Sequence, residues 1–221
     1  MSKCKDVVEC IEDFQRQLPQ FLSLAEKESI SEALKKFPKE FNPYTTLYKN
    51  EVLQGDAFPE MPFYVFEKEK VISKLGMLIS NTCDMSPENK RPLPLENVVA
   101  AMIKLDSYRQ LLMRNVEDSK RVDSIIADIK AQRVTNIFYL PKHPNCSLED
   151  DHIVCFDKLS SIPSKFMKTA DKKVFTLGQF GFYMLLFKLS VHFCRFHEKI
   201  SRDNDDDTAS TKENSTGRVM N

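Results

Sequence analysis

The feature that most constrains the fold is an apolar stretch near the C-terminal end of the sequence. Residues 179–199 predict one long helix, in which apolar residues recur at three- and four-residue steps from Phe180 to Cys194 and also fill much of the opposite side. A helix that is apolar nearly all round must be buried on more than one face. We therefore expect a small β-barrel, formed by the strands of the chain, to cover one side of this helix. Helices of the same chain or a second protein chain cover the other side.

The composition of the chain limits the classes of partner. With 221 residues, of which 42% are hydrophobic, the chain is long enough to bury a core. Lysine plus arginine and aspartate plus glutamate balance at 32 each, so no net charge attracts nucleic acid or an anionic membrane. A local patch of positive charge would still allow nucleic acid to bind, but the expected partner is another protein. The apolar stretch is interrupted by Lys188 and is too short to span a bilayer, so we expect no membrane partner.

Cysteine spacing and the first residues of the sequence indicate a compartment. The six cysteines show no spacing typical of a disulfide framework. Charged side chains at Lys3, Lys5 and Asp6 follow Met1, where a secretory signal would be apolar. We therefore expect a cytoplasmic protein whose thiols are free.

The pattern of apolar residues divides the chain into segments. Residues 1–45 predict an N-terminal helical segment, and 46–177 predict short strands with a helical insertion at 106–132. The C-terminal buried helix occupies 178–200, and a disordered tail rich in Asp, Ser, Thr and Asn follows at 201–221. Short strands with segregated helices are typical of an α+β fold. The first strand is predicted at 47–53, and the expected core of the sheet comprises Leu78, Val99, Ile103, Phe138 and Val154.

The order of strands and turns in the middle of the chain carries a further signal. A Gly55-Asp56 pair follows the first predicted strand, and the next apolar strand ends at Ser80 before a third apolar strand. Over residues 47–157 this order resembles the small SH3-like β-barrel of the PemK/MazF toxin family. The resemblance implies such a barrel. The helical insertion at 106–132, which we expect to be a helix pair, would be inserted into it, and the N- and C-terminal helices would flank it. The strand end at Ser80 and the residues at 138–141 and 192–195 also resemble uncharacterised bacterial proteins with a Ser-x-Thr-Cys-Asp strand end.

The sequence departs from the toxin family at the positions that serve RNA cleavage. The toxins have Arg-Pro at the entry to the second strand and Thr or Ser at the end of the third, whereas this chain has Lys74-Leu75 and Lys104-Leu105-Asp106. The cleavage residues are therefore not matched. We expect a non-enzymatic protein-interaction or regulatory protein of a bacterial toxin–antitoxin or phage-defence type system. The alternative is an endoribonuclease with a PemK/MazF-like barrel and a non-standard active site.

The strongest candidate site is the polar cluster that ends the strand at 75–79. Its small polar side chains can bond a ligand, a partner or nearby backbone. A thiolate nucleophile is a further interpretation, which needs a base or a positive field beside the thiol. A packed thiol in a turn shaped by side-chain bonds to the backbone is the structural alternative. The cluster comprises Ser80, Asn81, Thr82, Cys83 and Asp84.

A second candidate is the only metal-like spacing in the sequence. His143-x-x-Cys146 and His152-x-x-Cys155 supply the ligands that tetrahedral zinc prefers. However, five residues separate the pairs, less than in usual zinc fingers, and Cys155 lies in an apolar strand. We therefore expect no metal. The sequence also contains no Walker loop and no G-x-G-x-x-G motif, so we expect no cofactor.

The last candidate lies at the end of the C-terminal helix. His192 and Arg195 are three residues apart and share a helix face. One interpretation is a contact to an anion or to RNA. The other is a pair of cations that is favourable at a helix C-terminus.

Overall fold

A computed structural model of the protein describes residues 22–85, 95–144 and 146–193. The predicted disordered tail at 201–221, the N-terminal part of the predicted helical segment and Arg195 lie outside these described residues. The described helices are α1 (Leu24–Lys36), α2 (Thr82–Met85), α3 (Leu105–Asn115), α4 (Ser119–Lys130) and α5 (Gln179–Phe193). The described strands are β1 (Tyr44–Thr45), β2 (Ala57–Val65), β3 (Lys70–Leu78), β4 (Glu96–Lys104), β5 (Ile137–Leu140), β6 (His152–Pro163) and β7 (Thr176–Leu177).

The strands form an open sheet and a small separate ribbon. The five-stranded sheet has the order β2-β3-β4-β6-β5, every neighbouring pair is antiparallel, and β1 pairs with β7 outside it. Because β2 and β5 are edge strands that do not pair with each other, the sheet does not close into the predicted small barrel. The mixed α+β class is confirmed.

Local features at both edges explain why the sheet stays open. At β5, the Gln132 side chain donates to the Tyr139 carbonyl at 2.7 Å and accepts from the Tyr139 N–H at 3.1 Å. The opposite edge strand, β2, contains Pro59 and Pro62, which lack the N–H that a further strand needs. Glu60, with φ of 58°, adds a bulge between these prolines.

Helices cover the sheet on both faces, as the alternation of side chains along each strand requires. Met77, Phe138 and Val154 lie in one buried cluster with residues of α1 and α5. Ile137 and Ile153 point the other way and pack with the helix pair α3 and α4. A third cluster, at the far end of the sheet, includes Phe58, Leu78, Val99 and Ile162. The predicted core residues are thus divided between clusters; Leu78, Val99, Phe138 and Val154 are fully buried and Ile103 is partly buried.

The apolar helix α5 is covered by the chain itself in its described part. Gly181 lets α5 approach the segment before β1, because an added Cβ would lie 2.3 Å from the Pro43 carbonyl oxygen. Phe180 packs edge-on against Phe41, with ring centroids 5.8 Å apart. Residues of α1 join α5 in the same buried cluster. Within the ranges that the structure describes, no helix is long and apolar enough to cross a membrane.

The prediction of a first strand at 47–53 is wrong. These residues form turns and irregular backbone between β1 and β2. We name residues 46–55 the Tyr48 loop. Two of its backbone carbonyls, those of Tyr48 and Glu51, accept hydrogen bonds from the buried side chain of Lys173 instead of from a neighbouring strand.

Candidate functional site

The polar cluster at the end of β3 bonds nearby backbone. Ser80 Oγ accepts the N–H of Val98 on β4 at 2.8 Å, so this hydroxyl continues the pairing of β3 with β4. Asn81 Oδ1 accepts the N–H of Cys83 at 2.8 Å, in the pattern of an Asx turn that starts α2. These contacts agree with the structural interpretation of the cluster, in which its side chains shape a turn by bonding to the backbone.

Thr82 connects the cluster to the Tyr48 loop. Its Oγ1 accepts the N–H of Gln54 at 2.9 Å, and the Gln54 side chain donates back to the Ile79 carbonyl at 2.6 Å. The end of β3 and the end of the loop are therefore held together by reciprocal bonds. The remaining members, Cys83 and Asp84, are exposed.

The other sequence-predicted residues do not assemble into one site in the described structure. The His192 ring lies near the end of α5, with its centroid 5.9 Å from that of Phe156. On β6, His152 shares a face with Val154, whereas Cys155 points to the opposite face, where it packs with α3 and α4. His152 and Cys155 therefore cannot bind the same ion, which removes the four-ligand zinc interpretation. Among the described residues no group of three or more potential ligands comes together.

The structure contains a buried ion pair, between Asp56 and Lys173, that no motif in the sequence predicts. Asp56, at the start of β2, is fully buried, and its Oδ2 lies 3.2 Å from the Nζ of Lys173. The same ammonium group donates to the carbonyls of Tyr48 at 2.8 Å and Glu51 at 2.6 Å. It also donates to Thr176 Oγ1 on β7 at 2.9 Å. One buried cation thus joins the Tyr48 loop, the sheet and the β1–β7 ribbon.

The carboxylate of Asp56 is only partly satisfied. Its Oδ2 accepts the N–H of Leu53 at 2.8 Å, but Oδ1 has no hydrogen-bond partner within the described part of the chain. Burial raises the pKa of Asp56, and the Leu53 N–H and the Lys173 ammonium oppose that rise. A buried ion pair with an unsatisfied oxygen is weak evidence for stability, so its role is better sought in positioning.

The segment that the ammonium positions is strained and exposes apolar side chains. Tyr48 has φ of 57°, in the left-handed region that bulky residues avoid. Its side chain is 54% exposed, and that of Leu47 is 64% exposed. Such a conformation costs about 1–3 kcal/mol and persists only where the surroundings impose it. Here the surroundings include the bonds from Lys173.

A surface pocket of about 510 Å³ lies between the Tyr48 loop and residues 170–176. Lys173 and Thr176 form part of its wall, so the buried ion pair lies beside this pocket. The thiol of Cys146 also lines it, but this thiol donates to the His143 carbonyl at 3.2 Å rather than to an imidazole. Other polar side chains in the wall are those of Thr45, Thr46, Lys49, Asn50, Ser147 and Asp171. This lining can bind a polar ligand or a peptide segment.

No protein-family model matches the chain, and no curated protein shows a significant match to it. We therefore infer function from the geometry of the described residues. The sequence pattern placed Gly55-Asp56 after a predicted strand, as part of the resemblance to the toxin family, and it assigned no role to Lys173 or Tyr48. A buried pair formed by residues this far apart in the chain has no local periodicity that could reveal it.

Proposed function

We propose that the protein is a non-enzymatic interaction or regulatory protein, and that it binds a segment of another protein through the Tyr48 loop. One observation carries the proposal: an exposed tyrosine is held in a strained backbone conformation by a buried ion pair. Strain of this kind is concentrated at functional sites. Tyrosine is also among the residues that contribute most to protein interfaces, and a pre-organised loop loses less entropy on binding.

The proposal includes a setting and a compartment. The resemblance to PemK/MazF-type toxins supports a bacterial toxin–antitoxin or phage-defence system, and the cysteines, whose spacing is not that of a disulfide framework, support the cytoplasm. The bonds of Ser80, Asn81 and Thr82 to backbone support interaction over catalysis at the polar cluster. A partner strand would fit less well than a peptide docked at the loop, because Gln132 and the prolines of β2 obstruct the sheet edges.

Changing Tyr48 to Gly is expected to stabilise the protein by about 1 kcal/mol, because glycine adopts a positive φ without strain. Urea unfolding measures this as a higher midpoint with an unchanged slope. The same change at Tyr64 is the matched control, since Tyr64 is comparably exposed but lies in β2. Glycine there should destabilise by about 0.5–1 kcal/mol. Equal losses of stability at positions 48 and 64 would mean that Tyr48 is an ordinary structural residue.

Site-specific photo-crosslinking tests binding directly. A photoreactive phenylalanine analogue at position 48 should form a discrete adduct in bacterial extract, and the same analogue at position 64 should not. Mass spectrometry of the adduct should identify one dominant protein, cross-linked through a defined peptide. The adduct should also disappear when unlabelled wild-type protein is added in excess. Identical adduct patterns from both positions, or none from position 48, would contradict the proposal.

The alternative function is an endoribonuclease with a non-standard active site, carried on the open sheet instead of the predicted barrel. The observation in its favour is the exposure of Cys83 and Asp84 at the polar cluster. Incubation of the purified protein with total RNA is expected to leave the RNA intact. Cleavage that is lost in Asp84→Asn but kept in Tyr48→Gly would favour the ribonuclease over the interaction protein.

A further inference from the structure

We infer that the oxygen atoms around Lys173 form a binding site for a primary ammonium group, and that occupancy of this site fixes the conformation of the Tyr48 loop. In the native chain the ammonium of Lys173 is the occupant. The further step, that occupancy controls partner binding, rests on the proposed function.

The geometry of the site matches an ammonium ion. The oxygens are the carbonyls of Tyr48 and Glu51, Oδ2 of Asp56 and Oγ1 of Thr176, at 2.6 to 3.2 Å from Nζ of Lys173. The two carbonyls and Thr176 Oγ1 accept the three N–H donors of the ammonium, and Asp56 Oδ2 supplies the opposite charge. A primary ammonium directs its donors away from one carbon, towards oxygens that surround it. A guanidinium nitrogen carries at most two N–H donors, so an arginine cannot make these three hydrogen bonds from one atom.

The oxygens belong to parts of the fold that must be held together. The carbonyls of Tyr48 and Glu51 are in the loop, whereas Asp56 begins β2 and Thr176 lies on β7. The ammonium therefore links the loop to the scaffold. Lys173 has a side chain only 7% exposed, so these bonds are made away from bulk water, where losing them is most costly.

The site also has a route from solvent. Lys173 and Thr176 line the pocket of about 510 Å³ beside the loop. Truncating Lys173 to Ala removes the atoms from Cγ to Nζ and connects the oxygens to this pocket. The space that is vacated has the size of n-propylammonium. A small amine added to the solution can therefore take the place of the missing side chain.

Chemical rescue of Lys173→Ala tests the inference, with amide hydrogen exchange of residues 46–53 as the readout. The variant is expected to exchange these amides about tenfold faster or more than the native chain. Added n-propylammonium chloride should restore most of the protection. Tetramethylammonium chloride at the same concentration should restore none, because it has the charge but no N–H donor. Lys172→Ala, at an exposed neighbouring position, should exchange like the native chain.

A second variant keeps the test decisive if Lys173→Ala does not fold. Lys173→Arg retains the charge and most of the stem, so we expect a folded protein whose loop nevertheless exchanges faster. Full protection of the loop in Lys173→Arg, or equal rescue by both salts, would overturn the inference. Because exchange is measured without any partner, failure here is distinct from failure of the cross-linking test, which concerns only binding.

Discussion

Replacing Lys173 with Met is expected to lower the free energy of unfolding by about 3–5 kcal/mol, because the change leaves a fully buried carboxylate without its cation. Met keeps a similar volume, so a cavity contributes little. Asp56 has no exposed surface and its Oδ1 lacks a hydrogen bond within the described residues, so the N–H of Leu53 is left to compensate a full buried charge. Equilibrium urea unfolding at neutral pH measures the loss.

A double-variant cycle separates the pair from its surroundings. Asp56→Asn combined with Lys173→Met removes both charges and should recover part of the loss, because no unpaired charge is left buried. Lys172→Met is the matched control. Its ammonium pairs with Asp171 at the surface, and both side chains are more than half exposed, so we expect a change within about 0.5 kcal/mol. Similar losses for Lys172→Met and Lys173→Met would contradict the assignment.

The loss of folding stability in Lys173→Met should also depend on pH. Burial raises the pKa of Asp56 in the native protein, and removing the ammonium takes away one of the groups that oppose this rise. A carboxyl whose pKa is higher folded than unfolded binds its proton more tightly in the folded state. Its folded state therefore gains stability as the pH falls through the folded pKa and loses it as the pH rises. The stability deficit of the variant should shrink when unfolding is repeated in acidic buffer.

Changing Phe138 to Ala is the other large effect that we expect, a loss of about 3–5 kcal/mol. Phe138 is fully buried in the cluster between the sheet and α1 with α5, so truncation leaves a cavity in a packed layer. Urea unfolding should show a lower midpoint, and an apolar dye should bind if packing around the cavity loosens.

Phe66→Ala is the control for Phe138→Ala. The Phe66 ring is 80% exposed, and its ring contact is with Tyr64, which is also largely exposed. The same truncation there should change stability by no more than about 0.5 kcal/mol. A small loss at Phe138 would show that this layer collapses around the missing ring more completely than expected.

The local pattern of apolar residues was sufficient to predict the inserted helices and the C-terminal helix. Apolar spacing predicted a helical insertion at 106–132, and the structure has α3 and α4 there, with α3 ending at Asn115 and α4 capped by Asp118. It also predicted that the apolar C-terminal helix is buried on more than one face. Period and capping residues are local properties, so a single sequence reveals them.

The errors arose where distant parts of the chain decide the structure. The apolar residues Leu47 and Val52 favoured a strand at 47–53, but bonds from Lys173 impose a loop there. Whether a sheet closes likewise depends on how its edges meet, which strand order along the sequence does not show.

The Gln132 side chain has a consequence for how copies of this protein behave when crowded. A glutamine amide carries the same donor and acceptor as a peptide group, and here it engages both backbone groups of Tyr139 on the outer strand. Gln132 itself has φ of 59°, which turns the chain back so that its amide reaches that strand. A second molecule approaching this side finds those two groups occupied, and the sheet cannot be extended there without displacing the amide. The Gln132 side chain thus protects this edge strand from pairing with a strand of another molecule, which is the contact that leads to fibres.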